Sequence, residues 1–172
     1  FQIQQATRLH QQLQRLCDYE LAHPGARPSS LLSIDLTPVL DGGPPGPFSC
    51  GAGCTRVTYD FDGARYPCHL LSPLVLTDEA LRLYGALGGR AERPANCAAC
   101  ALDPICPTCA GNSFRLFRRL GLREESACQL FRHQVLCACR FQAKSILRKR
   151  AIGAREKLTL AAIGKILRSD AV

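Results

Sequence analysis

Eight of the eleven cysteines in the chain lie in an ordered pattern that is typical of metal binding. They are Cys50, Cys54, Cys68, Cys97, Cys100, Cys106, Cys109 and Cys128. Thiolates are soft ligands that select zinc, cuprous copper or iron-sulfur clusters over hard cations, and eight of them could complete two four-coordinate sites. The sequence therefore predicts a protein that is organised around metal.

The spacing of the four central cysteines differs from that of a zinc ribbon. A ribbon separates its two C-x2-C pairs by about 15 to 20 residues, whereas five residues separate Cys100 from Cys106. In ferredoxins, a crowded cysteine run gives three ligands to one cluster, and the fourth cysteine binds a second cluster. By that logic Cys97, Cys100 and Cys106 share one site, and Cys109 belongs to another.

Completing each site to four thiolates gives two ligand sets. The first ligand set is Cys50, Cys54, Cys68 and Cys109. The second ligand set is Cys97, Cys100, Cys106 and Cys128. Cys128 is expected in the first turn of a long helix, where free backbone N–H groups and the helix dipole favour an anionic cluster.

The segment between Cys54 and Cys68 predicts a β-hairpin. Residues 55–62 alternate with β-branched and aromatic side chains, Asp62-Gly63 is a two-residue turn signal, and residues 64–66 begin the return strand. Antiparallel arms of similar length bring their outer ends together, so the sulfurs of Cys54 and Cys68 are expected to lie near each other. Gly63 is predicted to be a requirement of the turn backbone.

The rest of the chain predicts mainly helices. They are an amphipathic helix over 2–22, a helix capped by Thr77 and ended by Gly88, a short helix ended by Gly121, a long helix from the cap Ser126 to about Arg148, and a tail helix over 156–167. Residues 31–36 predict a short strand, and 38–53 and 97–109 predict irregular loops. The expected fold class is irregular α+β, with a small hairpin and helices organised around two metal-cluster sites.

The three remaining cysteines are expected in the core. Cys17, Cys137 and Cys139 lie on or beside apolar helix faces, and free cysteine is among the most buried residue types. An odd number of cysteines without an export signal argues against a disulfide framework, which belongs to oxidising compartments. Together with the absence of a long apolar run, this predicts a cytoplasmic protein that does not contact a membrane.

The composition bears on two questions, namely whether the protein binds nucleic acid and whether the sequence is a fragment. The net charge is +8, but aromatic residues make up only 6% and tryptophan is absent. Nucleic-acid binding usually needs stacking aromatics beside basic residues, so a nucleic-acid partner is not expected. The chain has no methionine and begins with Phe1, which predicts a fragment of a longer protein.

The cysteine pattern resembles the SPASM domain, the C-terminal auxiliary-cluster extension of radical SAM enzymes that mature peptides and proteins. The resemblance rests on CGAGC at 50–54, DGARYPCH at 62–69, CAACALDPICPTCAGN at 97–112, and Cys128. It implies two 4Fe-4S clusters, with auxiliary cluster I on the first ligand set and auxiliary cluster II on the second. The two-residue gap between Cys106 and Cys109 departs from the commoner family spacing of three.

The resemblance also implies a function and a set of partners. The clusters would position a peptide or protein substrate and transfer electrons with a donor or acceptor protein. Cleavage of S-adenosyl-L-methionine uses a C-x3-C-x2-C motif, and the pair Cys50/Cys54 is followed by Val57 where a third cysteine would be needed. This chain is therefore not expected to cleave SAM itself, and no residue is assigned a catalytic role. A radical SAM catalytic domain, fused upstream or separate, would do so.

The same resemblance divides the chain into three parts. Residues 1–37 would end a partial (β/α) barrel, 38–132 would form the SPASM-like domain, and 133–172 would form a helical basic tail. The residues alone leave one alternative open, which is a zinc-stabilised module for binding protein or nucleic acid. In that alternative the same eight cysteines hold two structural ions and transfer no electrons.

Overall fold

The computed structural model describes residues 6–25, 27–42 and 50–169. In chain order the elements are α1 (Ala6–Ala22), α2 (Pro38–Asp41), β1 (Thr58–Tyr59), β2 (Arg65–Tyr66), α3 (Asp78–Ala86), α4 (Ala95–Ala98), α5 (Ala110–Phe117), α6 (Glu125–Leu147) and α7 (Ala154–Leu167), with 3-10 turns at His69–Leu71 and Asp103–Ile105. Helices predominate and β1 and β2 form one small antiparallel sheet, which confirms the irregular α+β class. Among the described residues, none of the helices has both the length and the apolar run that spanning a bilayer requires.

The chain divides into two compact units. Unit 1 comprises the described residues of Phe1–Pro44, Cys100–Ile105 and Glu125–Val172. Unit 2 comprises those of Pro45–Ala99 and Cys106–Glu124. The three-part division that the family resemblance implies stays a prediction.

The core of unit 1 is the contact between α1 and α6. Leu13, Cys17 and Leu21 of α1 pack with Cys137 and Phe141 of α6 in one buried cluster. The predictions that Cys17, Cys137 and Cys139 lie in the core are confirmed, since all three thiols are buried. Burial raises the pKa of Cys139 to about 11.

The prediction of a strand over 31–36 is wrong. Leu32 and Leu36 are buried, but the carbonyls of this segment bond to side chains of α6 and not to a neighbouring strand. Gln142 Nε2 donates to the carbonyls of Leu32 (3.0 Å) and Ile34 (2.8 Å), and Gln134 Nε2 donates to the carbonyl of Leu31 (3.2 Å). The side-chain amides therefore satisfy the groups that a strand would have used for pairing.

The predicted loop over 38–53 contains a helical turn, so that expectation is partly wrong. Pro38 begins α2, because proline at the first helical position loses no hydrogen bond that the helix needs. Helix α7 begins at Ala154, two residues before the prediction, and packs against α2 and α6. Lys165 Nζ donates to the carbonyl of Val39 at 2.9 Å. Residues 43–49 of the predicted loop and 2–5 of the predicted first helix lie outside the described residues.

The core of unit 2 is an apolar cluster formed by α3, α5 and the segments beside them. Its buried members are Leu71, Leu76, Ala80, Ala110, Phe114 and Leu120. The predicted cap is confirmed, since Thr77 Oγ1 accepts a hydrogen bond from the Ala80 N–H at 3.3 Å. Tyr84 meets Phe114 edge to face, with ring centroids 5.4 Å apart.

Two predicted helix boundaries are wrong. The short helix does not run to Gly121, because α5 ends at Phe117 and Arg118 adopts a left-handed conformation with φ +55°. Helix α6 begins at Glu125, so Ser126 lies inside its first turn and does not cap it. Glu125 is acidic, and a negative charge at the start of a helix interacts favourably with the helix dipole. The preference of serine for the cap position did not reveal this start.

Candidate metal centre

The hairpin between Cys54 and Cys68 forms as predicted, but with a longer loop. Thr58 pairs with Tyr66 and Tyr59 with Arg65, and the Asp60 N–H donates to the Ala64 carbonyl at 2.9 Å. The loop is therefore the three residues 61–63, and the expectation of a two-residue turn is wrong. Gly63 has φ +83°, the left-handed position that closes a three-residue hairpin loop, so its backbone role is as expected.

The outer ends of the hairpin meet beside the predicted ligands. The Gly53 N–H donates to the carbonyl of Pro67 at 3.1 Å. Gly53 precedes Cys54, and Pro67 precedes Cys68. This bond brings the backbones of the two cysteines to neighbouring positions, which is what the hairpin geometry predicts.

A tight turn holds Cys50 and Cys54 at the start of the hairpin. The Gly51 carbonyl accepts from three successive N–H groups, those of Cys54 (3.1 Å), Thr55 (2.9 Å) and Arg56 (2.9 Å). Both cysteines of the turn are exposed. Their thiols are thus available to a ligand that arrives from solution.

Two other thiols of the first ligand set affect the pKa of Cys68 in unit 2. Burial raises the pKa of Cys68, N–H groups of Leu70 and Leu71 that donate to it lower the pKa, and the charges of Cys109 and Cys50 raise it. The net direction is upward. Cys109 and Cys50 therefore lie near enough to Cys68 for thiolate charges to repel one another, and a positive ion or cluster core would relieve that repulsion.

The position of Cys109 is set by α5. Its Sγ accepts a hydrogen bond from the Asn112 N–H at 3.5 Å and caps the helix. Two residues further on, Gly111 packs against Leu70 so closely that an added Cβ would lie 2.5 Å from the Leu70 Cβ. The sequence predicted Cys109 as a ligand but did not indicate that it caps a helix, although the apolar pattern of α5 could have been extended back to Cys109.

The apolar core of unit 2 shields one side of this group. Cys68 is half-buried and packs against the cluster that contains Leu71 and Phe114. Burial raises the pKa of the Tyr84 hydroxyl, and the charge of Cys68 raises it further, so Tyr84 lies near the sulfur. The site is therefore bounded by solvent at Cys50 and Cys54 and by protein at Cys68.

The four cysteines of the second ligand set belong to different units. Cys97 and Cys106 belong to unit 2, and Cys100 and Cys128 belong to unit 1. Cys97 lies in α4, and a 3-10 turn follows at Asp103–Ile105, so the expectation that 97–109 lacks regular structure is wrong. Cys128 is the fourth residue of α6, at the end of its first turn as expected. The ligand role of this set stays a prediction.

Arg123 contacts Cys106, which the sequence did not indicate. Its guanidinium donates to the Sγ of Cys106 and to the carbonyl of Pro107. The two contacts hold the Cys106 side chain and the Pro107 backbone in place. Both partners lie in unit 2 but far apart along the chain, so no local pattern could have revealed the pair.

Within the described residues, no group of three or more His, Cys, Asp or Glu side chains is close enough to hold a single metal ion. Electrostatic repulsion between thiolates acts over longer distances than metal ligation, so the first ligand set is a neighbourhood of thiols and not a closed cage. Comparison of the chain with protein-family models, characterised proteins and solved structures gives no match.

Proposed function

We propose that the chain binds two 4Fe-4S clusters and is the substrate-positioning and electron-transfer domain of a radical SAM enzyme that modifies a peptide or protein. Auxiliary cluster I would be held by Cys50, Cys54, Cys68 and Cys109, and auxiliary cluster II by Cys97, Cys100, Cys106 and Cys128. The observation that carries the proposal is that two tertiary contacts, the Gly53–Pro67 hydrogen bond and the contact of Gly111 with Leu70, bring together the segments that contain Cys54, Cys68 and Cys109.

The donor chemistry of the first ligand set suits an iron-sulfur cluster. All four predicted ligands are thiols, and thiolates are the usual ligands of such clusters. Cys68 receives backbone N–H groups and packs against apolar side chains, and both features tune reduction potential in cluster sites. When bound, the cluster would supply a centre that accepts and donates single electrons.

The residues of this chain would then hold the clusters and shield them from water. The hairpin and α5 position the thiols, and the core of unit 2 excludes water from the side of Cys68. Radical generation would belong to a catalytic domain, fused upstream or separate, because this sequence lacks the C-x3-C-x2-C motif. That domain, a peptide or protein substrate and an electron donor or acceptor protein are the proposed partners, in the cytoplasm.

Anaerobic reconstitution tests this function directly. The protein is incubated with ferrous iron, sulfide and a thiol reductant, and bound iron and acid-labile sulfide are then measured. The expected product is brown and contains about eight iron and eight sulfide per chain. A colourless, air-stable protein with about two zinc ions per chain would instead indicate the zinc-stabilised binding module.

A further inference from the structure

Unit 1 contains a cavity of about 380 Å³ between the C-terminal ends of α1 and α6. Leu21 and Phe141, both buried, supply apolar wall, and Pro24 and Pro28 add two proline rings. The volume lies in the range of small-molecule sites, which combine apolar walls with a few polar groups. None of the predicted cluster ligands lines it.

Glu20 lines this cavity and has one carboxylate oxygen without a hydrogen-bond donor. The residue is only 9% exposed, and its Oε1 accepts a hydrogen bond from the Ser29 N–H at 2.9 Å. The other oxygen, Oε2, is buried and has no hydrogen-bond partner among the described residues. A buried carboxylate oxygen without a donor is costly, and the terminal torsion of a glutamate is soft enough to turn that oxygen toward a donor in the cavity.

Arg148 places a positive charge in the same wall. One of its N–H groups donates to the Leu21 carbonyl, and within the described part of the chain Arg148 forms no ion pair with an acidic side chain. Lys149, which also lines the cavity, is paired with Glu156 at 2.8 Å. The cavity therefore presents one carboxylate and one guanidinium that are not neutralised by each other.

We propose that this cavity binds a small zwitterion with an apolar body, of the size of a dipeptide. The ligand ammonium would donate to Glu20, its carboxylate would accept from Arg148, and its side chains would contact Leu21 and Phe141. A molecule with only one of the two charges would leave the other protein group unpaired. The proposal concerns residues of unit 1 and does not depend on cluster binding.

Three matched probes test it on the full chain by isothermal titration calorimetry. They are the dipeptide Leu-Ala, N-acetyl-Leu-Ala, which lacks the ammonium, and Leu-Ala amide, which lacks the carboxylate. Leu-Ala is expected to bind with a dissociation constant of about 1 mM or tighter, and each truncated probe about tenfold more weakly, because each loses a hydrogen bond between charged groups. Equal binding of the three probes, or no binding of Leu-Ala at about 10 mM, would overturn the proposal.

Two substitutions test whether Glu20 binds the ligand ammonium and Arg148 binds the ligand carboxylate. Glu20→Gln keeps the acceptor for Ser29 but should make Leu-Ala bind no better than its acetylated form. Arg148→Gln should remove the difference between Leu-Ala and its amide. Arg150→Gln is the matched control, since Arg150 is exposed and does not line the cavity. Circular dichroism of each variant checks folding, and the comparison of probes on the unsubstituted chain stands even if a variant unfolds.

Discussion

Gly111 of α5 lies directly against Leu70 of the 3-10 turn, with no room between them for a methyl group. Cys109 precedes Gly111 by two residues, and Cys68 precedes Leu70 by two. The close approach of the two segments therefore determines the approach of the two thiols. We therefore expect Gly111, which is not itself a predicted ligand, to be required for the first ligand set to assemble.

Replacing Gly111 by alanine should disrupt the first site. The added Cβ would lie 2.5 Å from the Leu70 Cβ and would force α5 away from the turn, at a cost of about 1 to 3 kcal/mol in the free energy of unfolding. Reconstituted iron should fall from about eight toward four per chain. Gly85→Ala in α3 is the control, because an added Cβ there meets nothing within 4 Å. Full iron content in Gly111→Ala would contradict this assignment.

The two ligand sets should lose iron independently. Cys100→Ala is expected to remove about half the iron, and Cys54→Ala the other half, because each belongs to a different set of four. Cys139→Ala removes a buried thiol outside both sets and should leave iron content unchanged. Iron and sulfide assays with electron paramagnetic resonance distinguish the remaining clusters. Loss of all iron from either ligand variant would mean that both sets fold as one metal-dependent unit.

Arg123 should set the reduction potential of the cluster that we propose at Cys106. Its guanidinium donates to the Cys106 sulfur, and hydrogen bonds to cluster sulfurs stabilise the reduced state. Arg123→Gln is expected to make one cluster harder to reduce by about 60 mV, which is a tenfold change in a one-electron equilibrium. Potentiometric titration followed by electron paramagnetic resonance measures the shift. Arg115→Gln on the exposed side of α5 should not move it, and unchanged potentials in Arg123→Gln would refute the role.

Three of the eleven thiols should resist alkylation in the folded apoprotein. Cys17, Cys137 and Cys139 are buried, and burial raises the pKa of each, that of Cys139 to about 11. Since the thiolate is the reactive form, Cys139 should react about a hundredfold more slowly with iodoacetamide at pH 8 than exposed Cys50 and Cys54, and Cys17 and Cys137 should also react more slowly than those two. Peptide mapping by mass spectrometry gives the rate at each site. Equal rates would mean that α1 and α6 do not pack as described.

Unit 1 should lose stability in mild acid through His133. Its ring centroid lies 5.0 Å from that of His10, and burial first and His10 second lower the pKa of His133. The unfolded chain therefore binds a proton more readily than the folded one. The stabilising contribution is complete above the unfolded pKa of about 6.5 and declines as pH falls toward the lower folded value.

Thermal unfolding at pH values between about 7 and 5 measures this dependence. His133→Gln should flatten the decline in melting temperature with falling pH, because the titrating group is gone. An unaltered slope in His133→Gln would show that other groups are responsible.

Elements with a strong local signal could be predicted from the sequence. The apolar spacing of α1 and the Thr77 cap of α3 are set by residues within one or two helical turns, and both were correctly anticipated. Residues 31–36 were not, because alternation of apolar residues does not reveal whether a neighbouring strand exists to pair with them. Their carbonyls bond to Gln142, more than a hundred residues away.

The same distinction applies to the candidate site. The hairpin that brings Cys54 and Cys68 together follows from local turn chemistry, and the position of Gly63 was evident from the sequence. The approach of Gly111 to Leu70 and the contact of Arg123 with Cys106 are tertiary contacts between segments that carry no mutual signal. Thiol spacing therefore predicts candidate ligands, but not the groups that hold them in place.

The segment 31–36, which follows α1, depends on Gln142 to stay attached to α6. One carboxamide supplies donors to two carbonyls there, so a single rotamer change releases both. Release of these carbonyls frees the segment from α6. The backbone N–H groups of 33–36 should therefore exchange with deuterium by brief local opening, well before those in the middle of α6. A protease that cleaves locally opened segments should therefore cut the chain first at this connection.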